Sequence, residues 1–164
     1  IREYGKEIYS FCKHLTCSRQ EADDLYQDTF LKAVELQQKI DWQENPKSFL
    51  LSVAVRIWKN RKRKAAWRNR IAPTEVLIEE RDVEECYDTE ASLEESYIIQ
   101  EESRIVRSAV DKLQEKLRMC VLLFYMEELS IPQIAKVLKI PQGTVKSRLY
   151  QARKQLQKEL EDVL

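Results

Sequence analysis

Near the C-terminus, Lys146, Ser147, Tyr150, Gln151 and Lys154 recur at the spacing that puts them on one side of a helix, opposite Val145, Leu149, Ala152 and Leu156. That outer face offers hydroxyl donors, an amide able to pair with an adenine edge, and positive charge for phosphates. Its chemistry is the recognition of a nucleic acid. The groups that bond-making requires are sparse: one histidine, no carboxylate cluster with metal spacing and no glycine-rich phosphate loop. No enzyme activity, no small-molecule substrate and no cofactor are therefore expected. Cys12, His14 and Cys17 lie close together, but helical spacing spreads them around the axis and a fourth ligand is missing, so no metal is expected. The four cysteines, at 12, 17, 86 and 120, form no CxxC pair and fit thiols in a reducing cytoplasm.

The face just described needs an element to hold it. The segment from Leu129 to Leu149 predicts two short helices and a tight turn, which is a helix-turn-helix. Ser130 with Gln133 makes a capping box, and Pro132 falls near the first helical position. Ile134, Leu138, Ile140, Val145 and Leu149 are expected to supply the shared core, with Ala135 leaving room for the helices to cross. Such a unit pushes its second helix into the major groove.

Upstream, apolar residues from Tyr4 through Ile8, Phe11, Cys12 and Leu15 predict a first helix ending near Thr16. Ser18 and Glu21 form a capping box for a second helix running to about Gln37. Ala22, Tyr26, Phe30, Ala33 and Val34 are expected on its inner face, and Asp24, Gln27, Asp28, Leu31 and Glu35 on the outer one. Asn45 caps and Pro46 opens a third helix, with Leu50, Val53, Ala54 and Ile57 turned inward. Ser52, Arg56, Lys59 and Arg63 line its other side, and Trp58 and Trp67 nearby could stack on bases while the cations meet phosphates.

Two glycines and four prolines among 164 residues, with abundant Leu, Glu, Lys, Arg, Gln and Ala, predict an all-α protein. Charge totals zero, so its distribution carries the information. From Arg56 to Arg70 there are eight Lys or Arg and no acid, whereas from Glu75 to Glu102 there are twelve acids against Arg81 alone. This divides the chain into two small helical domains, 1–68 and 92–164, joined by a flexible acidic linker at 69–91. Ser92 and Glu95 cap the helix that opens the second domain, with Leu93, Tyr97, Ile105, Val106, Ala109, Val110 and Leu113 as its apolar positions, and a short helix follows over Leu117 to Met126. Nothing resembles a signal peptide or a membrane span. The first residue is Ile1, so a few native residues are expected to have been removed.

The segment Gly143-Thr-Val-Lys-Ser-Arg-Leu-Tyr-Gln-Ala-Arg153, preceded by Ile134-Ala and Ile140-Pro, resembles region 4 of the extracytoplasmic-function (ECF) sigma factors of the sigma-70 family. Ala22-Asp-Asp-Leu-Tyr-Gln-Asp-Thr-Phe-Leu-Lys-Ala33 is similar to their region 2.2, and Phe49-Leu-Leu-Ser-Val-Ala-Val-Arg-Ile-Trp-Lys-Asn60 resembles regions 2.3 and 2.4. All three follow the family's order. The chain departs from common family residues at Arg56, Asn60, Phe124 and Pro132.

The resemblance implies a partner for each surface. Asp24, Gln27, Asp28 and Leu31 would dock on the β′ clamp helices of core RNA polymerase. Arg56, Lys59, Asn60 and Arg63 would open and read the minus-10 promoter element, with the loop from Lys39 to Asn45 cradling an unstacked base. Lys146, Ser147, Tyr150, Gln151 and Arg153 would read the minus-35 element, and Phe124 would lie near the β flap. An anti-sigma factor that covers the polymerase-binding surfaces is implied too, and could hold an otherwise cytoplasmic protein at the membrane without the chain itself inserting. A conventional regulator with an N-terminal sensing or dimerisation domain would explain the helix-turn-helix equally well, but neither the basic third helix nor the capped second one.

Overall fold

In the computed structural model, residues 3–16, 18–36, 38, 45–71 and 96–161 are described, with side chains from 103 onward in the last span. Seven α-helices and no strand occur among them. Residues 72–95, which contain most of the expected linker and the Ser92–Glu95 box, lie outside the described residues, as do 39–44 of the expected base-cradling loop and Cys17 and Cys86. The described helices fall into two compact units.

The first unit comprises α1 (Gly5–Leu15), α2 (Arg19–Glu35) and α3 (Pro46–Ile71). Local signals start the later two. Ser18 Oγ accepts the Glu21 backbone N–H at 3.2 Å, and Asn45 Oδ1 accepts that of Lys47 at 3.0 Å, so each helix start gains a partner for donors it would leave unpaired. Ile8, Phe11, Cys12, Leu15, Leu25, Leu51 and Val55 are buried between the three helices. Edge-on ring contacts join Tyr9 to Tyr26 at 5.4 Å and Tyr26 to Phe30 at 4.8 Å, a geometry that aromatic quadrupoles favour. Tyr9 also donates its hydroxyl to Asp23 at 2.7 Å, while Lys47 at the start of α3 reaches Glu7 of α1 at 2.7 Å.

The second unit takes in α4 (Ser96–Lys112), α5 (Glu115–Val121), the start of α6 (Ile131–Leu138) and α7 (Gln142–Glu161). Leu113, Leu117, Val121 and Ala152 form a buried cluster flanked by Val110 and Leu156. Val106, one of the apolar positions of α4, is 46% exposed; apolarity alone did not determine its facing. After Val121 the backbone widens into a π-turn over Leu122–Met126, closed by the Glu127 N–H on Leu122 O at 3.1 Å. The inserted residue changes which side chains face inward: Leu122 and Leu123 are buried, whereas Tyr125 is exposed.

The helix-turn-helix forms where its residues predict it. Ser130 and Gln133 make the capping box of α6, the Ser130 backbone N–H donating to Gln133 Oε1 at 2.8 Å. At the other end Lys139 takes the left-handed conformation, φ 55° and ψ 50°, and the Ile140 N–H returns to Ala135 O at 3.0 Å. That reversal, a helix stop usually given to glycine, lets α7 begin at Gln142. Ile134, Leu138, Val145 and Leu149 are buried as expected, and Ile140 is half-buried.

Candidate nucleic-acid and partner interfaces

On α7, Val145, Leu149 and Ala152 are buried and Lys146, Ser147, Tyr150, Gln151 and Lys154 are exposed. A hydroxyl, a phenol and an amide are thus presented together between cations, on the helix that follows the turn. Lys154 Nζ stands 5.8 Å from the Tyr150 ring centre, an arrangement that leaves both accessible while limiting their freedom. A Cβ added at Gly143 would meet nothing within 4 Å, so the open approach to the first turn of α7 is not demanded by internal packing.

Arg153 sits apart from this group. Its Nε donates to the Tyr125 hydroxyl at 2.8 Å, and its guanidinium lies 5.8 Å from the ring centres of both Phe124 and Tyr125. The side chain is drawn toward the π-turn, at the edge of the outer face of α7.

Arg56, Lys59, Asn60 and Arg63 are all exposed on α3 and fall within an arc of about 100° around its axis. Arg63 Nη2 is 3.5 Å from Asn60 Oδ1. One expectation here is corrected. Trp58 is 4% exposed, because it continues the row of Leu51, Ala54 and Val55 into the core, and its ring is met by Lys62 at 5.5 Å. It cannot stack on a base from there. Trp67, by contrast, is exposed.

On α2, Asp24, Gln27 and Asp28 are exposed and Leu31 is 65% exposed. Asp28 is not an isolated acid: Arg61 Nη2 of α3 contacts its Oδ2 at 2.6 Å. Val34, expected inward, is 52% exposed. The buried face is centred instead on Leu25, Thr29 and Ala33, with the Thr29 hydroxyl satisfied by Leu25 O at 2.7 Å. Val34 lies one turn after Leu31 and two after Gln27, so it joins the outer stripe that the residue types alone left one side chain short. Spacing from Leu31 was the signal that could have found it.

Among the described residues there is no group of histidine, cysteine and acidic side chains able to hold a metal, and Cys12 and Cys120 are buried within the helices. None of the described helices is long and apolar enough to cross a membrane.

Comparison with known proteins bears on both units. The Sigma-70 region 2 family matches residues 1–68 and the Sigma-70 region 4 family matches residues 103–156. The ECF RNA polymerase sigma factor SigW of Bacillus subtilis is 28% identical over 98% of this chain and 86% of its own length. The RNA polymerase sigma-H factor of Pseudomonas aeruginosa is also 28% identical, over 100% of this chain and 86% of its own. In fold, the chain resembles the sigma factor RpoE solved with the anti-sigma factor NepR from Bartonella quintana, with a TM-score of 0.78, 23% identity and coverage of 96% and 91% of the two chains. It also resembles CnrH solved with the cytosolic domain of CnrY, with a TM-score of 0.66, 18% identity and coverage of 98% and 84%. With both region families matched in order, and SigW and sigma-H each matched over 86% of their own length, the chain belongs to the extracytoplasmic-function sigma factors of the sigma-70 family.

Proposed function

We propose that this protein is a transcription initiation factor that brings core RNA polymerase to a particular set of promoters, reading a minus-35 element with α7 and a minus-10 element with α3. The observation that carries this reading is the occurrence, in one chain, of two separate exposed faces suited to DNA, one mixed and one basic, alongside the outer stripe of α2. Lys146, Ser147, Tyr150 and Gln151 are assigned to the upstream element, with Arg153 at the margin where its bond to Tyr125 holds it. Arg56, Lys59, Asn60 and Arg63 are assigned to the downstream one.

Asp24, Gln27, Asp28 and Leu31, with Val34, form the proposed contact with the β′ clamp helices. Phe124 and Tyr125 face the β flap in this reading. Polymerase supplies the chemistry, and the factor supplies recognition. Two weak DNA sites held on one enzyme bind jointly better than either alone, through effective concentration. Opening the duplex costs a few kcal/mol per unstacked step, which captured bases and the cations of α3 offset. A cytoplasmic location follows from this role. The similar sigma factor solved with an anti-sigma factor supports a comparable inhibitor here, covering the polymerase-binding surfaces.

The test adds the purified chain to core polymerase on genomic DNA and sequences transcript 5′ ends. New shared starts preceded by two spaced motifs are the expected result. Tight operator binding by the chain alone, with no polymerase recruitment, would make it a conventional regulator instead.

A further inference from the structure

The basic face of α3 does not stop at Arg63. Helical spacing carries it on to Trp67, which falls in line with Arg56, Asn60 and Arg63 on the same side of the axis. Trp67 is 64% exposed, and Lys64 and Arg70 flank it one turn to either side, each exposed. Neither cation has an acidic partner among the described residues. Trp67 is thus a large aromatic left mostly in water between cations, whereas Trp58 belongs to the core. Its surroundings repel other cationic surfaces and suit a polyanion that also offers flat apolar faces, which describes a nucleic-acid strand with its bases unpaired.

We infer that Trp67 is a stacking site for an unpaired nucleotide of the opened promoter strand, with Lys64 and Arg70 holding the adjoining phosphates. Asn60 and Trp67 are seven residues apart, a rise of ~10 Å along a helix, close to three base steps at ~3.4 Å each. The stack therefore extends the proposed minus-10 contact along the strand without reading sequence, because every base has a face to offer. This rests on α3 being the minus-10 helix, and the experiment separates the two claims.

The tryptophan fluorescence of the full chain is titrated at low salt with oligothymidylate and with a duplex of equal length, and Trp67→Phe is subtracted to isolate the Trp67 signal. Saturable quenching by the single strand and little by the duplex is expected. In holoenzyme on a promoter recovered by transcript mapping, Trp67→Ala should shorten the lifetime of the permanganate-reactive open complex about tenfold, Trp67→Phe should restore most of it, and recruitment to closed promoter should not change. Equal quenching by duplex, no quenching, or an unaltered open-complex lifetime overturns the proposal. So does loss of a protein partner as the main effect of Trp67→Ala. Quenching by single strand in a chain that directs no initiation would sustain the stacking site and sink the reading of the protein as an initiation factor.

Discussion

Gln151 and Lys146 share the outer face of α7 yet offer different things to DNA, and the difference is measurable. An amide paired to a base edge discriminates, whereas an ammonium on a phosphate does not. Gln151→Ala should cost roughly 1–3 kcal/mol against the preferred base and relax selection at one upstream position. Lys146→Ala should weaken all promoters alike and lower the salt dependence by about one contact. Competitive transcription from a randomised upstream element distinguishes the two. In the other unit, donation of its hydroxyl to Asp23 holds the Tyr9 phenol above its usual pKa, with partial burial adding to the effect. Since the folded state keeps this proton more tightly, the stability it contributes is present below pH 10 and is lost as pH rises through the folded value. Tyr9→Phe should flatten that alkaline loss in thermal melts of the chain, while lowering stability by about 1 kcal/mol at neutral pH through the missing hydrogen bond.

The helices themselves were legible because their ends are governed locally. Ser18, Asn45 and the Ser130–Gln133 pair each answer unpaired donors within three residues, so neighbours in sequence suffice to start a helix. Facing was legible only where the apolar row was unbroken. Val34, expected inward, and the apolar Val106 are both exposed, because a helix with more apolar residues than its neighbours can cover must expose some. The stop of α6 was less visible: Lys139 adopts a left-handed backbone that its residue type disfavours. Replacing it with glycine removes that penalty at a smaller cost in chain freedom, so Lys139→Gly should stabilise the C-terminal unit by about 0.5–1 kcal/mol. Valine there should destabilise it by more. Gly143→Ala in the first turn of α7 should also stabilise, by about 0.5–1 kcal/mol, since the added methyl meets open space. If the same change weakens promoter binding, the glycine serves a close approach of the DNA backbone. Denaturant melts together with transcription assays read both.

Across the molecule, the faces suited to partners could be located from residue types, but the contacts that connect them could not. The acidic stripe, the basic helix and the outer face of α7 all emerge from period and charge. Arg61 and Asp28 are separated by 33 positions, and no local pattern announces that they meet. Spacing did hold a signal for the two tryptophans: Trp58 continues the period of Leu51, Ala54 and Val55, and Trp67 that of Arg56, Asn60 and Arg63. For docking on polymerase, Leu31 is the informative position. Burying a leucine is worth roughly 1.5–3 kcal/mol, so Leu31→Asp should weaken binding to core polymerase by at least tenfold, read by competition against a reference sigma factor, without changing the starts chosen by whatever holoenzyme forms.

The meeting of Arg61 with Asp28 complicates the corresponding experiment at the acid. Both groups keep substantial exposure, so the contact is worth under about 1 kcal/mol and an approaching protein can break it. Removing Asp28 would do two things at once, subtracting a docking acid and liberating a guanidinium on the helix assigned to the melted strand. A screen at that position would record poorer enzyme capture mixed with a stickier, less choosy grip on promoters. Exchanging the two residues, Asp28→Arg with Arg61→Asp, keeps their attraction and total charge while moving each sign to the opposite helix, and its departure from the sum of the single changes would apportion the two consequences.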